Sequence, residues 1–415
     1  MKKREIVIVG LLIAFGFIYN AFEQGKIKFG DDFSRVFNEK RLISEQFAEY
    51  PQKEMVFPAP QKILIDNPAG EITINKSADD QVHLATSFRV YYLDKGEAES
   101  IARNALVHAE NENNELHISG AATSGFPYKR LRIRFELRVP AGVALSVRNH
   151  QGTVSIRQCG TDVNVSQENG NVFLEEIPSP VQVEIRGGTL DVKNIAGNVT
   201  IDARQGDIVL ENVPALRVKG RHGNYTLKNI KTTVFIEHAY GEISLTGAGQ
   251  AEIYGRHSKL AVRHIENGLR LASAFQSIFL ENIAGDVRLE GRSSRIEIHQ
   301  ANARSMVIEN SFADIVIADC SAEKLNINLK NGNLDLADTR FTDRLNVESR
   351  QATIRLALGV LPNPTFSIKT VHGRIYDQSS HGLEIFQERN ESFANRGGQK
   401  PEIIINNNYG DIHIK

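Results

Sequence analysis

From Asn149 onward apolar and polar residues alternate in short runs, and each run opens on a turn. The segments NHQGTVSI (149–156), QENGNVFL (167–174), ARQGDIVL (203–210), GRHGNYTL (220–227), HAYGEISL (238–245) and LKNGNLDL (329–336) share this form. Alternation marks a half-buried strand, because successive side chains of a strand point to opposite faces. The turn glycines Gly152, Gly170, Gly188, Gly206, Gly223 and Gly241 follow one another at steps of 18, 18, 18, 17 and 18 residues. The glycine then disappears while its place persists at Ser258, Gln276, Ser294 and Ala313, and Gly332 resumes the series.

Each period holds two groups of apolar positions. After Gly170 they are Val172, Leu174 and Ile177, then Val181, Val183 and Ile185. A second turn separates the groups, as in Ile195-Ala196-Gly197-Asn198. One period cannot bury its apolar face, whereas stacked periods bury it jointly and pair every strand with its neighbours. The predicted fold is therefore all-β. It is a β-solenoid of about 18-residue rungs with two short strands each, about eleven rungs lying between positions 149 and 350.

One interior slot repeats as Cys159, Ile177, Ile195, Val213, Ile230, Ile265, Ile283 and Cys320. The two cysteines thus occupy equivalent places nine rungs apart, roughly 40 Å at the usual strand spacing. That excludes a disulfide and makes both of them small core hydrophobes. Asn194, Asn212, Asn229 and Asn282 each precede this slot, which predicts an asparagine ladder that satisfies turn backbone.

The flanks divide the rest of the chain. Residues 1–30 carry a basic start, Met1-Lys2-Lys3-Arg4, and an apolar stretch from Ile6 to Phe22 without a small-x-small cleavage site. The expectation is an uncleaved signal anchor, a transmembrane helix. It would leave the rest of the chain periplasmic or extracellular, as a single-pass protein of the cell membrane. Residues 31–59 form the next segment. Phe33, Val36, Phe37, Ile43, Phe47 and Tyr50 recur at helical spacing and predict a juxtamembrane helix, followed by a linker marked by Pro51, Pro58 and Pro60. Residues 60–148 predict an N-terminal β-rich cap with a short helix around Ala98, Ile101, Ala102 and Ala105. Residues 149–358 are the solenoid, and 359–415 are C-terminal rungs and a cap. A polar insertion at 378–399 is expected to be a mobile loop.

NPAGEITI (67–74), LRVPAGVALSVRNHQGTVSI (137–156) and the later glycine-led strands resemble the bacterial putative-adhesin family of β-strand-repeat proteins, over roughly residues 60–415. The resemblance implies a membrane-anchored or secreted envelope protein with a β-helical body. The matching motifs are structural, and no functional residue carries over with them.

Composition narrows the chemistry. A formal net charge of -1 argues against a general nucleic-acid binder. Two cysteines exclude a disulfide scaffold and a cysteine-rich metal or cluster site. Asp and Glu are scattered, and the glycine–aspartate loops of calcium-binding rolls are absent. His222 and His257 lie two rungs apart, about 10 Å and too far to share one metal. No cofactor, metal site or catalytic residue is expected. The one outward pattern is arginine two places before the turn: Arg186, Arg204 and Arg221, then Arg256, Arg292 and Arg350. Stacking would set the first three in a row able to track a polyanion.

The functional expectation is a non-enzymatic binding, adhesion or scaffolding role in the cell envelope. Its partner would be an envelope glycan, another anionic polymer or a protein. The alternatives are a carbohydrate-active β-helix enzyme and a filament-forming scaffold subunit.

Overall fold

A computed structural model describes residues 46–52, 54–92, 95–122, 130–358 and 361–415. The expected transmembrane helix, and the juxtamembrane helix up to residue 45, lie outside the described residues. Among the described residues no helix is long and apolar enough to cross a membrane. The helical spacing that runs on to Tyr50 does not give a helix there: Phe47–Pro51 is a strand with alternating exposure.

Contacts divide the chain into two units. Of the described residues, the smaller holds the strand Phe47–Pro51 and residues 88–92, 95–105, 122 and 130–132. Its helix, Lys95–Asn104, buries Ala98 and Ile101 as their spacing predicts, whereas Ala105, expected in the helix, opens the strand Ala105–Glu112. Arg89 pairs with Glu49 at 2.7 Å and lies over the Phe47 ring.

The larger unit is the solenoid. Val163–Glu175 runs parallel to Ala144–Arg157 on one side and to Val181–Ile185 and Gly188–Lys193 on the other. The register advances by one sequence period at each step: Val163 faces Val181, Val181 faces Val199, and Val199 faces Leu216. A second parallel stack runs through Val172, Leu190, Ile208 and Tyr225. Every rung supplies one strand to each stack, and the inward residues of both enclose the core. Val181, Val183, Ile185, Leu190, Val192 and Ile195 are each at most 2 % exposed. Each such side chain contributes roughly 1.5–3 kcal/mol.

Both corners of a rung use left-handed backbone. At the first, Gly170 and Gly188 have φ of +132° and +116°, and a Cβ on either would lie within 2 Å of the carbonyl oxygen of the glycine one rung below. Only glycine meets both conditions. At the second, Asn194, Asn212, Asn229 and Asn282 have φ of +53° to +58°, which asparagine tolerates better than most residues. The expected asparagine ladder forms in part and with different partners, since Asn194, Asn212 and Asn229 join it while Asn282 Nδ2 lies 2.8 Å from His264 Nδ1. Asn212 Nδ2 donates to Asn194 Oδ1 at 2.8 Å and Asn229 Nδ2 to Asn212 Oδ1 at 3.1 Å, so the amides satisfy one another rather than turn backbone.

The ends depart from sequence order. Lys62–Asn67 is inserted between Glu115–Ala122 and Ala144–Arg157, with Ile65 facing both Ile118 and Val147. At the other end Gln399–Tyr409 lies between Arg340–Leu356 and Pro364–Val371, with Ile403 facing Leu345 and Phe366. The final rung inward is thus built from the chain's last residues. The insertion at 378–399 is a hairpin, not a loop. Glu391–Arg396 pairs antiparallel with Pro364–Val371, and Glu384–Glu388 pairs antiparallel with Glu391–Arg396. The outer strand Glu384–Glu388 is exposed throughout and ends in a glutamate on each side, a charge pattern that discourages further strand addition.

Candidate polyanion-binding site

The parallel register fixes the arginine row. Ile185 faces Ala203 and Ala203 faces Gly220, so the next residues, Arg186, Arg204 and Arg221, stand on three successive rungs of one corner. The Arg204 N–H donates to the Ile185 carbonyl at 3.0 Å. The row continues beyond them. Arg256 faces Ala274, and Ala274 faces Arg292. All of these arginines, with Lys330 and Arg350 further along, are exposed.

Their electrostatic states differ. Arg186 lies 3.3 Å from Glu168 and 3.8 Å from Glu184. Glu168 also meets His150 at 3.1 Å, and hydrogen bonding to that imidazole, with Arg186 beside it, holds its carboxyl below the usual range. Arg204, Arg221, Arg256 and Arg292 have no ion pair among the described residues. Pairing with nearby carboxylates therefore accounts for Arg186 and not for the others.

The corner is concave. An open groove of about 930 Å³ is lined by Arg186, Arg204, Arg221 and Arg256 together with Lys219, Asp202 and Glu237. Lys219 pairs with Glu237 at 3.0 Å. With Arg186 and Lys219 already ion-paired, Arg204, Arg221 and Arg256 face Asp202 as the remaining carboxylate of the groove lining. A second groove of about 560 Å³ continues along the same corner past Arg256, Ala274, Phe275 and Arg292. Among the described residues no cluster of His, Cys, Asp and Glu is placed to hold a metal ion.

Small inward residues form the groove floor. Gly220 lies under the Tyr225 hydroxyl, which a Cβ at Gly220 would meet at 1.9 Å. Tyr225 packs edge-on against His238 at 4.4 Å between ring centroids. His238 is buried, and its Nδ1 lies 2.8 Å from the Ser258 hydroxyl. Burial pushes its pKa down to about 4, so the neutral ring is a core group beneath the groove.

Beside the arginine row stands a column that the arginine pattern alone does not reveal. His222, Tyr240, His257 and Phe275 stack with centroids 5.0 Å apart at each step and planes within 13°. His372 and Tyr409 repeat the contact near the C-terminal end. In the sequence the signal is the residue just before each turn, which is His222, Tyr240, His257 and Phe275 on successive rungs. Tyr240 fills the gap between His222 and His257.

The family model for Toastrack DUF4097 matches residues 61–257 and 216–415. No curated protein matches the sequence. Three crystal structures are similar in part. A putative cell adhesion protein from Clostridium sporogenes is 10% identical over 88% of this chain and 99% of its own, with a TM-score of 0.18. A putative adhesin from Bacteroides fragilis is 11% identical over 65% and 98%, with a TM-score of 0.24. A putative adhesin from Parabacteroides distasonis is 12% identical over 73% and 97%, with a TM-score of 0.22. At these scores none carries an argument about this chain.

Proposed function

We propose that this chain, which belongs to the Toastrack DUF4097 family, is a non-enzymatic binding protein of the cell envelope that holds an anionic polymer along its basic corner. The observation that carries this reading is the set of exposed arginines without ion pairs, Arg204, Arg221 and Arg256, lining one groove. Arg204 and Arg221 stand on adjacent rungs, and Arg256 stands two rungs beyond Arg221 on the same groove. Guanidinium groups bind carboxylate, sulfate or phosphate through paired N–H donors. The apolar segment Ile6 to Phe22 serves in this reading as the membrane anchor, with the repeat body outside the cytoplasmic membrane.

Retention on immobilised anionic polymers across a salt series tests the reading. Wild-type chain is expected to bind and to elute with rising salt, and the R204E/R221E variant to flow through. Equal retention of both would overturn it. Release of shortened polymer from bound chain would replace the binding role with an enzymatic one.

A further inference from the structure

From Arg221 to Lys330 the corner carries a two-rung pattern superimposed on its one-rung repeat, flanked by successive cationic rungs at Arg186, Arg204 and Arg221 before it and at Lys330 and Arg350 after it. On successive rungs the two residues before the turn are Arg221-His222, Ala239-Tyr240, Arg256-His257, Ala274-Phe275, Arg292-Ser293 and Ser311-Phe312. Cationic rungs alternate with rungs that pair a small residue with an aromatic one. Lys330 on the following rung continues the alternation. The register is held independently at both columns, by the ring stack from His222 to Phe275 and by the pairing of Arg256 with Ala274 and of Ala274 with Arg292.

The aromatic members are presented to solvent. Tyr240, Phe275 and Phe312 are 47 %, 46 % and 55 % exposed, large values for rings on an otherwise polar edge. Tyr240 is sandwiched between His222 and His257, so it offers its edge and hydroxyl. Phe275 rests one face on His257, while the next rung carries the small Ser293. Phe312 has no stacked ring among the described residues. Ala239 and Ala274 leave shallow gaps between the arginines, and the second groove runs over Ala274 from Arg256 to Arg292.

We infer that this corner recognises an acidic polysaccharide with one anionic group per disaccharide. The anionic sugars sit at Arg221, Arg256 and Arg292, and the uncharged sugars lie against Tyr240, Phe275 and Phe312. The inference rests on the polyanion reading above and adds the class of polymer. Cations two rungs apart are separated by roughly 9.5 Å along the stack, close to the length of a disaccharide in an extended β-linked glycan. The C–H face of an uncharged pyranose packs on an aromatic ring face of the kind Phe275 and Phe312 leave open, the Tyr240 hydroxyl can hydrogen-bond a sugar hydroxyl, and a carboxylate accepts paired guanidinium hydrogen bonds. Polyphosphate, or a polymer with a charge on every sugar, would set anions against the Ala-Tyr and Ala-Phe rungs, where no cation answers them.

Affinities of the full chain for three probes at one salt concentration test this. Hyaluronan carries one carboxylate per disaccharide, polygalacturonate one per sugar, and polyphosphate one charge per phosphate. Hyaluronan is expected to bind at least about fivefold tighter per charge than the other two. The F275N/F312S variant is expected to lose about fivefold or more for hyaluronan and less than about twofold for polyphosphate. Asparagine suits position 275 because Phe275 has a φ of +68°. A239R/A274R fills the gaps with charge and is expected to shift preference toward polygalacturonate. Equal or tighter binding of polyphosphate or polygalacturonate to wild-type chain, lost in R204E/R221E, would overturn the alternating polymer and leave the polyanion reading standing. Absence of binding to all three would remove both.

Discussion

The rings of His222 and Tyr240 lie parallel, with centroids 5.0 Å apart and planes 8° apart, although 18 residues separate them in the chain. They meet because one rung of the solenoid consumes one sequence period. A slip of one residue would part the rings and send the inward strand residues to solvent. The same register gathers the arginines, the asparagines and the glycines into their own columns.

Replacing Gly170 with alanine is expected to destabilise the solenoid severely. Its φ is +132°, and the added Cβ would lie 1.8 Å from the Gly152 carbonyl oxygen. Strain and backbone clash together should cost about 3 kcal/mol or more. Urea unfolding followed by circular dichroism measures the loss. A change below about 1 kcal/mol would mean that the corner can open without disturbing its neighbours.

Asn212 tests the amide ladder separately from backbone strain. Its side chain donates to Asn194 and accepts from Asn229, and its φ is +58°. N212A removes both hydrogen bonds and forces alanine into the left-handed region, so a loss of about 2 kcal/mol is expected. N212G relieves the strain and should cost about half as much. Equal losses for the two would assign the whole effect to the ladder.

His238 makes stability depend on pH. Burial lowers its folded pKa from 6.5 to about 4, so the unfolded chain takes up a proton that the folded chain refuses. Its contribution is complete above the unfolded pKa of 6.5 and is lost as pH falls toward 4. Comparison of H238Q with wild type from pH 7 to pH 4 should show the variant losing less stability, by up to about 3 kcal/mol. Parallel curves would show that His238 accepts its proton without cost.

The two cysteines should be inert in the folded chain. Cys159 and Cys320 are buried and free, and burial pushes the Cys159 thiol up to about 12 and the Cys320 thiol above its ordinary value. Thiolate is the reacting species, so a thiol-specific reagent at pH 8 is expected to label neither residue natively and both in denaturant. Rapid native labelling of one would locate a rung that opens.

The repeat was legible because stacking imposes one local rule on every period. The spacing from Gly152 to Gly241 and the slot shared by Cys159, Ile195 and Cys320 follow from short-range needs: a left-handed corner, and an apolar side chain facing inward. Such needs recur once in every period and leave a pattern that sequence alone determines. The arginine row was visible for the same reason, as a position in the period.

Other features depend on contacts that no local rule encodes. The insertion of Lys62–Asn67 and of Gln399–Tyr409 inside their own ends is decided by which exposed edge each strand can pair. That choice is global. The hairpin at Glu384–Arg396 followed from the same competition, although its polar composition suggested a loop. Whether an arginine is free or paired likewise turned on neighbours a full rung away. Glu168 answers Arg186, while Arg204 and Arg221 meet no carboxylate among the described residues. Sequence thus determined the period and the columns. Tertiary structure decided the order at the ends, the groove and the charges left open in it, because these depend on distances between residues that the chain brings together only when it stacks.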